Sequence, residues 1–570
     1  MTDSAVKAAE ELETCYQRTC EQVTARGLSV TRLPNAPRSM LRLQIQGPQR
    51  QWIIDVDCTS PCTNHLPAVS LREPRALLAH VSVDGIICVT DGQGLSIDQS
   101  RHPELVAHTV LDAYDLLELS AADAASGFEE FFNELEGYWA GRVVPIQRTR
   151  SSVEVDTTSR LVNAYVEQSS GKRFCKFITE SERAIPSEFQ VAKLAKTLGL
   201  YMALNQPILP PQPAETLGPK FVDEVIAAFG PGERKLWRQL VANLPAELGR
   251  LVCMLVSVPR AAGGRSLIGL TFSVRGSQID AGAVVRPLKV LRHTATYMRE
   301  RGGARTSLAT KNIAVLGCGS VGSEVADALA SSGIGRLILV DWDEMSEDNV
   351  FRHALGRDSI GQAKVAALGL ELLRKYPGVD VHSLPVSAES WLKTADVSKV
   401  DGIIVAVGQP TLERTIARTL RDAGATLPLV FTWLEPLDLG GHSFLFSANG
   451  KGCLDCIYRD DEGAASLYTR VTFLAPSQRV TRNLTGCSSI FVPYGAIQSR
   501  RTALMATEQM LRALDGDPSH SYDYWVGAGT AAQKVGFATT RWWEQAKSSK
   551  PEDVARHLFS HPCTTCRDAK

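Results

Sequence analysis

The sequence has no uninterrupted apolar run of the roughly 18–20 residues that a membrane-spanning helix requires. It has no excess of charge of one sign either, because 61 Lys and Arg residues nearly balance 62 Asp and Glu residues. No basic cluster of the kind that binds nucleic acid stands out. The first residues, Met1 to Glu11, form an acidic helical pattern rather than a secretion signal. These absences predict a cytoplasmic protein that spans no membrane and binds no nucleic acid.

The length of 570 residues predicts several domains, and a content of 44% hydrophobic and 22% charged residues is typical of globular proteins. Residues 1–145 are predicted to form a small α+β domain. Residues 146–300 are predicted to form an α+β linker domain with helices near 187–203 and 219–244. From 301 to 570, apolar strands alternate with amphipathic helices. This alternation predicts an α/β fold with a mostly parallel sheet covered by helices on both faces.

The most informative stretch runs from Asn312 to Ser323, where an apolar strand leads into a glycine-rich turn and then a helical pattern. Gly317, Gly319 and Gly322 allow the backbone to approach a phosphate, and a helix that starts near Ser320 presents free N–H groups. A second apolar strand ends at Asp341, an acid of the kind that accepts hydrogen bonds from ribose. This order predicts a nucleotide site, but a dehydrogenase could share it.

Further along the chain, four polar residues extend the motif: Asp343, Asn349, Arg352 and Lys364. In this order and spacing, the set resembles the superfamily of ThiF, MoeB and the ubiquitin-activating enzymes, which implies a Rossmann-like adenylation domain that uses ATP and Mg²⁺. The resemblance implies that Asp341 binds ribose and that Asp343 and Asn349 shape the site. Arg352 and Lys364 would bind the triphosphate, where cations disperse the charge that develops when a carboxylate attacks the α-phosphate. A dehydrogenase has no role for these two residues.

The chain departs from this family pattern at two places. His353 stands where the family usually has Gln, and Gly408 and Gln409 stand where the family usually has a magnesium-binding Asp-Asn pair. Either another acid such as Asp343 helps to hold the metal, or Mg²⁺ is held mainly by the phosphates. The second departure is also the feature that most favours a catalytically silent adaptor.

The resemblance further implies an arginine that reaches the phosphates of a partner subunit. Arg299 and Arg301 precede the first strand of the C-terminal domain, which is the expected place. A solvated helix end explains both residues equally well. If one of them acts in trans, the protein is a homodimer.

Cysteine is well represented, with 13 residues, and in a reducing compartment these are expected as thiols, metal ligands or nucleophiles. Two Cys-x-x-Cys pairs lie about a hundred residues apart: Cys453 with Cys456, and Cys563 with Cys566. Four thiolates at this spacing match a tetrahedral structural Zn²⁺. A redox dithiol is the weaker interpretation, because neither pair lies at a predicted strand-to-helix turn.

Two other cysteines are candidate nucleophiles. Cys487 precedes a long helix predicted near 494–514, in the place where the resemblance implies the cysteine that takes an acyl group from adenylate to thioester. Cys88 ends the stretch that begins at His80, which resembles the active-site segment of ubiquitin-conjugating enzymes. Val81 and Ser82 replace the Pro and Asn of that segment. Each cysteine has an alternative role as a buried apolar residue.

Together, the motifs resemble a bacterial fusion of a ubiquitin-conjugating-like domain (1–145), a linker domain (146–300) and a ubiquitin-activating-like domain (301–570). Such fusions occur in CBASS anti-phage operons and related conjugation systems. The resemblance implies a carrier protein with a C-terminal glycine, either a ubiquitin-like protein or a CD-NTase, and a target protein with an acceptor amine. A ThiF/MoeB-type sulfur-carrier adenylyltransferase without conjugation is the main alternative, beside the silent adaptor.

Overall fold

The structure is a computed structural model. It describes residues 3–37, 39–59, 65–143, 148–182, 185, 193–276, 278–446, 452–460, 463–483, 490–517, 521–559, 563 and 566. The chain forms two compact units, the N-terminal unit Met1–Thr294 and the C-terminal unit Ala295–Lys570. Within the described ranges, no helix combines the length and the apolar character that a membrane span needs. The three domains expected from the sequence stay a prediction.

The N-terminal unit contains two sheets and five helices among its described residues. The helices are α1 (Asp3–Ala25), α2 (His102–Ser126), α3 (Glu129–Gly141), α4 (Pro219–Ala227) and α5 (Pro231–Ala242). The strands are β1 (Ser29–Arg32), β2 (Met40–Gln46), β3 (Gln51–Asp57), β4 (Val69–Leu71), β5 (Ile86–Ile87), β6 (Arg148–Ser151), β7 (Arg160–Ser169), β8 (Lys172–Thr179), β9 (Ala195–Ala203), β10 (Leu251–Pro259), β11 (Arg265–Arg275), β12 (Gln278–Ile279) and β13 (Arg286–Arg292).

The first sheet is an antiparallel meander in the order β1-β2-β3-β4-β5. Its inner face follows the period of two that a half-buried strand requires, with Leu41, Leu43 and Ile45 completely buried along β2. Helices α1 and α2 pack against each other and against this face. The chain order is therefore one helix, a five-stranded meander and two helices.

The second sheet closes on itself. Its order is β10-β9-β7-β8-β6-β13-β11-β12, and β10 also pairs with β11. The helix expected near 187–203 is wrong over its described part, because Ala195–Ala203 form β9 between β7 and β10. Leu200, Tyr201 and Met202 are completely buried there, so strand pairing and burial override the helix propensity of the segment.

The C-terminal unit holds one large sheet between helices. Its helices are α6 (Ala295–Gly302), α7 (Ser320–Ser331), α8 (Lys364–Lys375), α9 (Ala388–Thr394), α10 (Pro410–Asp422), α11 (Ala496–Leu514), α12 (Thr530–Lys534), α13 (Arg541–Ala546) and α14 (Pro551–Phe559). Its strands are β14 (Asn312–Leu316), β15 (Arg336–Val340), β16 (Asp380–Leu384), β17 (Gly402–Val405), β18 (Leu429–Leu434), β19 (Gly440–Phe446), β20 (Arg482–Asn483), β21 (Ile490–Phe491) and β22 (Ser521–Val526).

The order of this sheet is β16-β15-β14-β17-β18-β19-β22. The first five strands are parallel, whereas β19 and β22 run antiparallel to their neighbours. Helices α7, α8 and α11 pack on one face, and α9, α10 and α14 pack on the other. The predicted α/β class and its doubly wound, Rossmann-like arrangement are confirmed. The strand order reverses direction between β14 and β17, and ligands of such sheets bind at the carboxyl ends of these strands.

Candidate active site

The glycine-rich turn lies at this reversal point, between β14 and α7. Gly317 has a φ of +86°, and a Cβ there would lie 2.8 Å from the carbonyl oxygen of Ala406. A Cβ on Gly322 would lie 1.8 Å from the carbonyl oxygen of Gly317. Both glycines are thus required by close packing within the chain. Gly319 is different, because a Cβ there would meet nothing within 4 Å. This open space lies at the N-terminus of α7, where an anion is favoured.

Asp341, which follows β15, braces the turn. One carboxylate oxygen accepts a hydrogen bond from the Cys318 N–H at 2.7 Å, and the other accepts one from the Asp343 N–H at 2.9 Å. Cys318 is completely buried, and burial raises the pKa of its thiol well above the usual range. Cys318 is therefore a packing residue of the turn rather than a nucleophile.

Lys364 is the first residue of α8 and is only 5% exposed. Its ammonium group is hydrogen-bonded to the carboxylate of Asp343, and its N–H donates to the Asp343 carbonyl at 3.0 Å. A cation at a helix N-terminus opposes the helix dipole, and a buried cation needs a charged partner. Burial and the helix dipole therefore both disfavour a positive charge at this position. A charged residue at such an unfavourable position is typical of a functional site.

Asn349 and Arg352 lie on the irregular segment between β15 and α8. The side-chain oxygen of Asn349 accepts hydrogen bonds from the N–H and the hydroxyl of Ser346, both at 3.2 Å, and so closes a short 3₁₀ turn. The Arg352 guanidinium lies 4.9 Å from the centre of the Tyr494 ring and donates to the carbonyl of Val492 at 3.3 Å. Asn349 therefore shapes the segment, and Arg352 is oriented by the stretch before α11.

Tyr494 connects this arginine to the glycine-rich turn. Its hydroxyl lies 2.7 Å from the hydroxyl oxygen of Ser320, the first residue of α7. Tyr494 also lines a cavity of about 230 Å³ with Asp348, Phe351, Arg352, Phe491 and Gly495. Tyr494 could not be predicted as part of this site, because it lies 174 positions from Ser320 along the chain.

His353 occupies the family's Gln position and is 5% exposed. Its Nδ1 accepts a hydrogen bond from the Leu355 N–H at 3.0 Å, so its Nε2 carries the proton and donates to the Cys318 carbonyl at 2.8 Å. Burial lowers the pKa of His353, which keeps the ring neutral. A neutral imidazole with one donor and one acceptor offers the same pair of groups as a glutamine amide.

Gly408 and Gln409 are exposed in the turn after β17. Neither carries a carboxylate, while both oxygens of Asp341 accept backbone hydrogen bonds and Asp343 is paired with Lys364. These residues offer a Mg²⁺ ion no dedicated acidic cage. The donor set fits a Mg²⁺ that arrives with, and is held mainly by, the phosphates of a nucleotide.

The four cysteines of the two Cys-x-x-Cys pairs come together. The Sγ–Sγ distances are 4.0 Å for Cys453 and Cys456, 3.5 Å for Cys453 and Cys563, 3.6 Å for Cys456 and Cys566, and 3.7 Å for Cys563 and Cys566. A tetrahedral zinc with Zn–S bonds of about 2.3 Å requires Sγ–Sγ distances of about 3.8 Å. The geometry therefore fits the predicted ion.

Cys88 lies at the end of β5, in the N-terminal unit, and is the exposed cysteine among those that the structure describes. Its N–H donates to the His80 carbonyl at 2.9 Å, and its thiol donates to the Thr90 carbonyl at 3.5 Å. His80 has a φ of +59°, and its ring lies 3.4 Å from a carboxylate oxygen of Glu130 on α3. The structure thus presents Cys88 to solvent on a turn held by His80.

The predicted nucleophile Cys487 and the predicted trans arginines have different outcomes. Cys487 lies outside the described residues, so its position stays a prediction. Arg299 donates to the carbonyl of Gly378 in its own chain at 2.9 Å, whereas Arg301 is exposed. Arg301 is therefore the better candidate for contact with a second subunit.

Residues 292–528 match the ThiF family, and the C-terminal half of this chain contains a ThiF family domain. The prediction of such a domain is confirmed.

Among curated proteins, the chain is 28% identical over 240 residues to the ATP-dependent ubiquitin transferase-like protein Cap2 of Pseudomonas aeruginosa, covering 41% of this chain and 42% of that protein. It is 27% identical over 241 residues to Cap2 of Vibrio cholerae, covering 40% and 39%. The matches thus span about two fifths of these relatives. Among solved structures, E. coli MccB has a TM-score of 0.30 at 16% identity, covering 41% of this chain and 62% of that chain.

Proposed function

We propose that this protein activates the C-terminal carboxylate of a carrier protein with ATP and conjugates the carrier to a target amine. The observation that carries the proposal is the arrangement around the glycine-rich turn of a ThiF family domain. There, open space in front of α7 is accompanied by a buried lysine, Lys364, and by Arg352 on the neighbouring segment. If the glycine-rich turn served only for packing, neither of these two cations would be needed beside it.

In the first step, a carboxylate oxygen of the carrier's terminal glycine attacks the α-phosphorus of ATP, and pyrophosphate leaves. Lys364 and Arg352 bind the phosphates and disperse the charge that grows on the leaving pyrophosphate. Asp341 accepts hydrogen bonds from the ribose while it braces the turn. Asp343 keeps the Lys364 ammonium oriented until the nucleotide binds. A Mg²⁺ ion that binds together with the nucleotide would supply further charge neutralisation.

In the second step, the Cys487 thiolate attacks the acyl carbon of the adenylate, and AMP leaves. The Cys88 thiolate then attacks the thioester and displaces Cys487. An amine of the target attacks the new thioester, Cys88 leaves as a thiolate, and the amine loses a proton to solvent. The exposure of Cys88 supports its role, because an acyl acceptor must be reachable by a large partner.

The carrier is a protein that ends in glycine, either a ubiquitin-like protein or a CD-NTase, and the setting is bacterial anti-phage defence of the CBASS type. The similarity to Cap2, whose name describes an ATP-dependent ubiquitin transferase-like protein, supports this class of carrier. The four-cysteine cluster holds a structural Zn²⁺ and leaves no coordination position for a substrate. The protein acts as a homodimer to which Arg301 contributes an arginine in trans.

The adenylation step is tested by ATP–pyrophosphate exchange with the full chain, Mg-ATP and each candidate carrier. Lys364→Met should lower the exchange rate by about 100-fold or more, as expected when a buried charge-stabilising donor is lost. The matched control is Lys375→Met, at the other end of α8, where the lysine pairs with Asp327 at 2.7 Å near the surface. Exchange that does not depend on a carrier, or that survives in Lys364→Met, would contradict the proposal.

A further inference from the structure

The turn after β17 forms the second wall of the nucleotide crevice. If Gly317 had a Cβ, it would lie 2.8 Å from the carbonyl oxygen of Ala406 and 2.9 Å from the Cα of Val407. The glycine-rich turn and the turn 406–409 are therefore in direct contact. Because β14 and β17 are neighbours at the point where the strand order reverses, these two turns enclose the place where such sheets bind ligands.

Glu413 supports this second wall from inside the protein. It lies in the first turn of α10 and is only 2% exposed. Its carboxylate oxygen accepts a hydrogen bond from the Gly408 N–H at 3.0 Å, and its own N–H donates to the Gln409 carbonyl at 3.0 Å. In the described part of the chain, its carboxylate is bonded by backbone N–H groups, those of Gly408 and Gln409. These bonds fix a turn in which Gly408 has a φ of +65°.

An acid at this position is costly for the fold. Burial raises the pKa of Glu413 to about 7, and the two backbone N–H groups oppose that rise only in part. A buried carboxylate without a cationic partner loses its hydration without compensation from an ion pair. Glutamine has nearly the same shape and carries no charge, so packing alone does not explain why an acid stands here.

Resting on the proposed adenylation activity, we propose that Glu413 is a positioning residue of the nucleotide site. Its ionised carboxylate accepts the backbone N–H groups of the turn and holds this wall against the glycine-rich turn in the shape that binds the phosphates of ATP. When the carboxyl is protonated, one of its oxygens becomes a donor and the turn is held less firmly.

Tyr458 lies close enough to feel the charge of Glu413, and it does not titrate in the same range. Burial raises the pKa of Tyr458 above its usual range, and the charge of Glu413 adds to that rise. The Arg414 guanidinium lies 4.8 Å from the centre of the Tyr458 ring and is paired with Asp455 at 2.6 Å. The charge of Arg414 is therefore engaged by Asp455.

The test is calorimetric titration of the full chain with Mg-ATP between about pH 6 and about pH 8.5, for the unmodified protein and for Glu413→Gln. Binding by the unmodified protein should weaken by up to about tenfold from pH 8 to pH 6, the limit for protonation of one group with a pKa of about 7. Glu413→Gln should bind more weakly at pH 8 and should show little of this dependence. Parallel pH profiles for the two proteins would overturn the inference while leaving the proposed function intact.

A second pair of variants covers the case in which Glu413→Gln does not fold. Gly408→Ala strains the turn without a clash, because a Cβ there meets nothing within 4 Å and φ is positive. Gly424→Ala is the matched control just beyond the other end of α10, with a φ of +68° and equally open space. The inference requires Gly408→Ala to weaken Mg-ATP binding several-fold more than Gly424→Ala does, and equal effects overturn it. Absence of Mg-ATP binding at every pH would overturn the proposed function as well.

Discussion

Single residues of the candidate site are held in place by partners that lie far away along the chain. Lys364 is paired with Asp343, and Arg352 is stacked on Tyr494, which in turn contacts Ser320. Each cation is therefore oriented before a nucleotide binds, which reduces the entropy that is lost on binding. A triphosphate would compete for both cations with their present partners.

His353 yields a direct prediction at this scale. Because its neutral ring offers one donor to Cys318 and one acceptor to Leu355, His353→Gln should keep Mg-ATP affinity within about threefold of the unmodified protein. His353→Ala should lower the free energy of unfolding by about 1–3 kcal/mol, because it leaves the buried Cys318 carbonyl without its donor. Urea unfolding and calorimetry measure the two quantities.

The pKa of His353 determines how the free energy of unfolding changes with pH. Burial lowers the pKa of the folded ring below its usual value of about 6.5, so the folded protein binds fewer protons than the unfolded chain. The stability from the neutral ring is complete above about pH 6.5 and is lost as the pH falls through the lower folded pKa. His353→Gln should flatten this part of the stability profile, and an unchanged acid limb would contradict the assignment.

The sequence predicts some residues of the site better than others. The positions of Gly317 in the turn and of Asp341 after β15 could be predicted, because both follow from local order along the chain, a strand, a tight turn and a helix. Tyr494 and Glu413 could not, because each acts through a contact that only the folded chain creates. His353 was recognised as a departure, but its hydrogen bonds show why the departure is tolerated.

At the scale of elements, the cysteine cluster brings Cys563 and Cys566 next to the segment that holds Cys453 and Cys456. It joins the segment 453–457, next to α10, to the residues that follow α14. Asp455, within this segment, is bonded to Arg414 at 2.6 Å and to Arg418 at 2.8 Å, both on α10. With a zinc ion bound, the cluster would fasten α10 and α14, two of the helices that cover one face of the sheet.

This arrangement predicts that Cys563→Ser removes zinc and loosens the C-terminal unit. The purified protein should contain about one zinc ion per chain, and the variant should lose it and melt several degrees lower, as expected when a structural site contributes to folding. Metal analysis and calorimetry provide the measurements. The control is Cys20→Ser, on α1 of the N-terminal unit, which should leave both values unchanged. Equal melting of Cys563→Ser and the unmodified protein would contradict a structural role.

Element types were predicted well where the sequence pattern was local and less well elsewhere. The strand β14 and the helix α7 could be placed because an apolar run and a glycine turn mark their limits. Ala195–Ala203 form a strand instead of the expected helix because both neighbours in the closed sheet come from distant parts of the chain. The helix expected near 219–244 is divided at Gly230-Pro231, since proline starts the new helix α5.

At the scale of the whole molecule, we propose that the two units carry out different steps of one reaction sequence. The first part of the N-terminal unit, up to Gly141, has a helix, an antiparallel meander and two further helices, and the exposed Cys88 lies in the chain between the meander and the last two helices. The C-terminal unit has the nucleotide crevice of a ThiF family domain. A covalent link between two such sites raises the local concentration of a thioester donor near its acceptor. The conjugating role of the N-terminal unit stays a prediction.

The most direct test of the complete account is a non-reducing gel. The full chain is incubated with Mg-ATP and a carrier that ends in glycine, either a ubiquitin-like protein or a CD-NTase, and is compared with Cys487→Ala and Cys88→Ala. We predict a thiol-sensitive adduct that persists in Cys88→Ala and is absent in Cys487→Ala. The conjugate between the carrier and the target amine should be absent in both variants. ATP consumption without any thiol-sensitive adduct, from either carrier, would contradict the thioester relay and would indicate adenylation for sulfur transfer instead.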